Sequence, residues 1–148
     1  MTFNPDITSI TQVIQLAVAP VFLLTGIGAI LTVMTNRLAR AVDRARFLQQ
    51  LRATAGPEEQ AVLVAESGVV GRRIRLAHRA IAFAVFSALC VCLLIALAFV
   101  GAAAKLNLAM LVAGLFVLAM LSLIVTLLIF LREIMLSVTS VRTLLRPT

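Results

Sequence analysis

The fold of this chain is decided by the stretch VIQLAVAPVFLLTGIGAILTVMT, from Val13 to Thr35, and by the run RLARAVDRAR, from Arg37 to Arg46, that leaves it. The first stretch carries no charge and is long enough to cross the hydrocarbon core of a bilayer as a helix. The arginines that follow keep one end of this helix in water. We therefore predict a membrane-spanning helix that continues into an arginine-rich segment outside the bilayer.

The composition of the whole chain agrees with this prediction. Hydrophobic residues make up 62% of the 148 residues, and the mean hydropathy is +1.12, both too high for a soluble domain of this size. The formal net charge is +7, but Trp and Tyr are absent and nearly all arginines flank apolar spans. The charge therefore indicates membrane topology and contact with anionic lipid headgroups, and we expect no nucleic-acid partner.

The predicted fold class is all-α, an integral membrane protein that forms a single domain over residues 1–148. A break at Ala53-Thr54-Ala55-Gly56-Pro57 divides the segment between the first two spans into two helices of similar length. These helices are expected to fold back as an antiparallel hairpin. The predicted parts are spans over 13–35, 80–101 and 108–131, a cytoplasmic hairpin over 37–79, and a C-terminal cytoplasmic tail over 132–148.

The basic residues predict the orientation of the spans. Nine arginines lie between the first and second spans and three lie in the tail, whereas residues 1–12 hold none and residues 102–107 hold one lysine. Positively charged loops stay in the cytoplasm. We therefore expect the N-terminus outside and the C-terminus in the cytoplasm.

A cluster of charged side chains is predicted on the hairpin and at the end of the third span. Reflecting one hairpin arm on the other places Glu66 near Arg46, and Asp43 near Arg72 and Arg73, although Asp43 also has arginines within reach along its own helix. The full predicted cluster consists of Arg37, Arg40, Asp43, Arg44, Arg46, Glu66, Arg72, Arg73, Arg75, Arg79 and Glu133.

Glu133 is a second point of interest, because it is expected at the same depth as Arg37 and Arg79. One hypothesis is an ion pair that ties the third span to the other two. The alternative is a switch at an inner gate.

The residues needed for catalysis or metal binding are missing from the pattern. His78 is the one histidine, it sits in an arginine cluster, and no acidic residue lies inside a span. Cys90 and Cys92 are two residues apart, so on a helix they point away from each other and cannot form a disulfide. We expect no enzymatic activity, no cofactor and no metal site.

A stripe of small and hydroxyl-bearing residues follows one face of the first span. It admits two interpretations: a tight seam between helices, or the lining of a narrow pore in a homo-oligomer. In the second interpretation Thr25, Gly28 and Thr32 form the constriction, and Arg37, Arg40, Asp43 and Arg44 form its cytoplasmic vestibule. The pore-lining candidates are Val18, Val21, Thr25, Gly28, Thr32, Thr35 and Asn36.

Three strings carry a family resemblance: LAVAPVFLLTGIGAIL at Leu16–Leu31, NRLARAVDRAR at Asn36–Arg46 and RRIRLAHRAI at Arg72–Ile81. With them the chain resembles a family of small bacterial membrane proteins catalogued as domain of unknown function 2721. The resemblance covers nearly the whole chain and implies a bacterial inner membrane. It implies no activity and no functional residues.

The sequence thus leads to two functional hypotheses. The first is a homo-oligomeric inner-membrane channel of unknown selectivity, lined by the first span. The second is a non-transporting scaffold or regulatory subunit, whose arginine-rich hairpin binds a cytoplasmic protein partner or anionic lipid headgroups.

Overall fold

The structure is a computed structural model, and it describes the backbone of residues 5–144 and the side chains of residue 15 and of residues 17–56 and 58–135. The described backbone is helical apart from two short connections. Its three helices are α1 (Pro5–Thr54), α2 (Pro57–Ala104) and α3 (Ala109–Leu144).

Each predicted span continues into its neighbouring predicted helix without interruption. α1 joins the first span to the first hairpin arm and includes Pro20, which is buried. α2 joins the second hairpin arm to the second span, and α3 extends through the predicted tail as far as Leu144. Each of the three helices contains a segment long and apolar enough to cross a membrane, as in a multi-pass membrane protein.

The break between α1 and α2 lies where the sequence places it. Proline is accepted in the first turn of a helix because its missing N–H would have no partner there. Glu58 and Glu59 lie in the first turn of α2, where negative charge is favoured by the helix dipole. The first turn is completed by the amide of Gln60, which donates to the carbonyl of Gly56 at 3.1 Å.

The chain divides into two compact units, each made of parts of all three helices. The apolar unit consists of the described residues up to Ile30 together with Phe83–Ile124. The arginine unit consists of Leu31–Ala82 together with the described residues from Val125 onward.

In the apolar unit, two serines connect α2 and α3, because the hydroxyl of each donates a hydrogen bond to the backbone of the opposite helix. Ser87 Oγ donates to the carbonyl oxygen of Ala119, and Ser122 Oγ donates to that of Phe83, both at 2.8 Å. Ser87 and Ala119 are completely buried, so the small side chains allow the backbones to approach closely.

The connection from α2 to α3 is a tight helix cap with one unfavourable backbone angle. The amide of Leu106 donates to the carbonyl of Gly101 at 2.9 Å, which is the long hydrogen bond of a Schellman cap. Lys105 occupies the left-handed position of this cap, with φ at 54°, where glycine is the usual residue. A side chain at Gly101 would meet the carbonyl oxygen of Leu106 at 3.3 Å, so this glycine permits the return of the chain.

We predict that Lys105→Gly raises the free energy of unfolding by about 1 kcal/mol, because glycine has no Cβ that clashes in the left-handed region. Equilibrium unfolding in mixed micelles, followed by circular dichroism, measures the change. Lys105→Ala is the control and should bring no such gain, because alanine retains the Cβ. An equal gain in both variants would assign the effect to the lysine charge and contradict the prediction.

Candidate functional site

The candidate site is a pocket in the arginine unit, with a volume of about 460 Å³ and an open mouth. α1 contributes Arg37, Arg40 and Arg44, whose spacing of three and four residues places them on one face of a helix. α2 contributes Arg73. The pocket is lined by Val33, Arg37, Arg40, Ala41, Arg44, Val70 and Arg73.

Glu133 of α3 ties two of these arginines together beside the pocket. Its side chain is only 6% exposed. Arg73 Nη2 donates to Glu133 Oε1 at 3.1 Å, and Arg37 Nη2 lies 3.4 Å from Oε2. The guanidinium of Arg37 also lies 5.4 Å from the centre of the Phe130 ring, which favours its positive charge. One carboxylate thus holds α1, α2 and α3 in contact.

A second ion pair lies closer to the solvent. Nε of Arg44 donates to Oε1 of Glu66 at 3.0 Å, and Nη2 of the same arginine donates to the same oxygen. The Arg44 guanidinium also lies 5.5 Å from the centre of the Phe47 ring. The side chains of Arg44 and Glu66 are 49% and 39% exposed, so water screens this pair far more than the pair at Glu133.

The pocket retains hydrogen-bond donors that these carboxylates do not use. Among the described residues, Arg40 has no ion-pair partner, and Arg73 Nε is buried without a hydrogen-bond partner. The four guanidinium groups around the pocket face two carboxylates, Glu66 and Glu133. Such an excess of planar, permanently charged donors is suited to bind an oxyanion such as a phosphate group.

Six members of the predicted charged cluster either line this pocket or pair with an arginine that lines it, and the other five lie elsewhere. The six are Arg37, Arg40, Arg44, Arg73, Glu66 and Glu133. The other five have exposed side chains and form no ion pair within the described residues. They are Asp43, Arg46, Arg72, Arg75 and Arg79.

The observed positions of Glu66 and Asp43 correct two of the predicted ion pairs. Glu66 pairs with Arg44 instead of Arg46, because two residues turn a helix by roughly 200° and only Arg44 shares a face with Arg40. The expected contact of Asp43 with Arg72 or Arg73 is absent. Arg73 instead reaches Glu133.

For Glu133, the predicted ion pair with Arg37 is present, and its partner on α2 is Arg73 instead of Arg79. The prediction by depth places Glu133 level with Arg37 and Arg79. Depth alone does not identify the partner, because the long side chain of Arg73 extends along the helix axis to reach Glu133.

The predicted pore-lining residues are all exposed on α1: Val18, Val21, Thr25, Gly28, Thr32, Thr35 and Asn36. Thr25 Oγ1 donates to the carbonyl of Val21 at 3.2 Å, and Thr35 Oγ1 to that of Leu31 at 2.9 Å. Within the described chain, this face is therefore not the seam between helices of one molecule.

Only part of the predicted vestibule lies on the same face as this stripe. At 100° per residue, Arg37 and Arg44 lie roughly 120–180° around α1 from Thr32 and Thr35, whereas Arg40 lies roughly 40° from Asn36. Arg37 and Arg44 are therefore separated from the stripe, and Asp43 and Arg40 remain near its side of the helix.

In the part of the chain that the structure describes, no three His, Cys, Asp or Glu side chains come together as a metal site. The cysteines are both free, with Cys90 buried and Cys92 exposed, as their spacing predicts.

A family model described as "Protein of unknown function (DUF2721)" matches residues 17–143. The chain belongs to this family. The match includes every arginine and glutamate of the pocket, so the site is part of the DUF2721 region itself. No curated protein and no solved structure matches the chain.

We predict that Glu133→Gln lowers the free energy of unfolding by about 2–4 kcal/mol, because it leaves two partly buried arginines without their carboxylate. Glu66→Gln is the matched control, and it should change this free energy by less than about 1 kcal/mol, since its pair is exposed. Both values come from equilibrium unfolding in mixed micelles. Equal losses in the two variants would show that burial of Glu133 does not set the strength of its pairs.

Proposed function

We propose that this protein is a non-transporting membrane scaffold whose arginine pocket binds the anionic headgroup of a phospholipid. The observation that carries this proposal is the charge balance of the pocket, in which four guanidinium groups face two carboxylates. A bound phosphate would supply the missing negative charge.

The unused donors indicate where the headgroup would bind. Arg40 is exposed and has no carboxylate partner among the described residues, and it lies between Arg37 and Arg44 on the same face of α1. Arg73 lines the same pocket from α2, and its Nε is buried without a hydrogen-bond partner. A phosphate at Arg40 would therefore have neighbouring guanidinium groups on two helices, which allows several charge-assisted hydrogen bonds at once.

A lipid headgroup is favoured over a catalytic substrate by the surroundings of the pocket. The lining consists of arginine, valine and alanine, and it offers no nucleophile or general base. We accordingly propose that the protein is not an enzyme.

The proposed location is the inner membrane of a bacterium, with the N-terminus outside and the C-terminus in the cytoplasm. This orientation rests on the positive-inside rule. It places the arginine pocket beside the cytoplasmic leaflet, where anionic lipids attract clusters of basic residues.

We predict that Arg40→Gln weakens binding of phosphatidylglycerol about tenfold, because it removes charge-assisted hydrogen bonds to the phosphate. Fluorescence anisotropy of an acyl-labelled phosphatidylglycerol in neutral-detergent micelles measures the affinity, with labelled phosphatidylcholine for comparison. Arg46→Gln is the matched control: it removes the same charge from the same helix outside the pocket, and binding should stay within about twofold.

Two results would contradict the headgroup proposal. One is equal affinity for the anionic and the zwitterionic lipid, and the other is an equal loss in the Arg40→Gln and Arg46→Gln variants. Either result would redirect the search to a cytoplasmic protein partner for the arginine-rich hairpin.

A second candidate function is the homo-oligomeric channel lined by the first span. The observation that favours it is the exposure of the whole hydroxyl-bearing stripe of α1, which the described residues of α2 and α3 do not bury. In a symmetric oligomer this face can turn toward the axis. The vestibule of such a pore would have to be formed by residues other than Arg37 and Arg44.

If the stripe lines a pore, Thr25→Leu and Thr32→Leu should each reduce ion flux into proteoliposomes at least roughly tenfold, because leucine narrows and dewets the constriction. Ala96→Leu is the control: it adds the same side chain at an exposed position of α2 and should leave flux unchanged. Absence of flux from the unmodified protein, or an equal loss in all three variants, would remove the channel hypothesis.

A further inference from the structure

The apolar unit contains a second cavity that is chemically unlike the arginine pocket. It is a groove of about 800 Å³, a size typical of ligand sites, which hold about 300–1,000 Å³. Small residues from all three helices create the space: Ala17 and Ala19 of α1, Ala98 and Gly101 of α2, and Ala109 and Ala113 of α3. Larger apolar side chains complete its walls.

Two polar side chains line this groove, both from the connection between α2 and α3. Asn107 Oδ1 accepts a hydrogen bond from the amide of Ala109 at 3.4 Å, so its carbonyl caps α3. Lys105 is exposed, and the described side chains of the apolar unit include no carboxylate that could pair with it. The groove therefore combines an apolar wall with one positive charge that no described carboxylate of this unit balances.

This lysine occupies the left-handed position of the α2 cap, where glycine would be favoured. The cap hydrogen bond from Leu106 to Gly101 requires only the backbone, so the lysine side chain contributes nothing to the turn itself. Its ammonium group is thus available to a ligand.

We infer that this groove binds one acyl chain of a phospholipid whose anionic headgroup pairs with Lys105. The apolar lining matches the chain, and the single ammonium pairs with the phosphate. A zwitterionic headgroup carries a cation of its own that offsets this attraction, so the occupant is an anionic lipid in preference to a zwitterionic one. The site shares no residue with the arginine pocket, and the inference does not depend on the proposed scaffold function.

The absence of tryptophan from the chain provides a direct test. Phe116→Trp places a single fluorophore in the groove wall, and Phe86→Trp places one at an exposed apolar position of the same unit outside the groove. Phosphatidylglycerol and phosphatidylcholine with brominated acyl chains then quench the fluorophore when a chain lies beside it. Each lipid is titrated into bicelles that hold the full-length protein.

For the Phe116→Trp variant, we compare the mole fractions of the two brominated lipids at which half of the fluorescence is quenched. The value for phosphatidylglycerol should be about two to five times lower than the value for phosphatidylcholine. The Phe86→Trp variant should respond equally to the two lipids. Adding Lys105→Gly to Phe116→Trp should abolish the preference for phosphatidylglycerol, although this substitution improves the helix cap. Adding Lys105→Arg instead should retain the preference. Adding Ala98→Leu should reduce quenching by both lipids, because it fills the groove.

Three results would overturn the inference. They are equal quenching of the Phe116→Trp variant by the two lipids, a preference that survives Lys105→Gly, and quenching that Ala98→Leu does not reduce. Because Lys105→Gly is expected to stabilise the fold, loss of selectivity in that variant cannot be assigned to unfolding.

Discussion

The arginine unit depends on one buried carboxylate. Glu133 lies almost entirely out of water, where an unpaired charge costs several kcal/mol, and Arg37 and Arg73 approach it from two other helices. Because Arg73 must reach Oε1 and Arg37 must reach Oε2 of the same carboxylate, the rotation and axial position of α1 and α2 are both constrained relative to α3. The pocket follows from this constraint, since the side chains that hold Glu133 also form part of its wall.

The same constraint explains why the pocket keeps a positive charge. Each carboxylate is engaged by the arginines nearest to it, Glu133 by Arg37 and Arg73, and Glu66 by Arg44. Arg40 forms no ion pair with any described carboxylate, so positive charge remains on one side chain at an open surface. An oxyanion bound there would not have to break either existing pair, which makes binding compatible with the stability of the fold.

Hydropathy and the positions of glycine and proline were sufficient to predict the three spans and the break at Gly56-Pro57, because both depend on local chemistry. The contact between Glu133 and Arg37 was also predictable, since both flank apolar spans at one depth. The exact partners were not, because the choice of Arg44 over Arg46 depends on which helix face turns inward. That choice depends on tertiary packing, which the periodicity of this arginine-rich segment does not encode. The groove beside Lys105 left no sequence signal, because alanine is common throughout apolar helices.

The reciprocal serine bonds between α2 and α3 have a mechanical consequence. Ser87 and Ser122 each donate to a main-chain oxygen on the opposite helix, so a lengthwise slide of one helix past the other would break both bonds together. In hydrocarbon no water is present to replace them. Shear along the helix axes in this unit therefore costs both bonds at once. Tilting or rotation about the two serines does not carry this combined cost, so the pair favours motions that keep the two helices in one axial register.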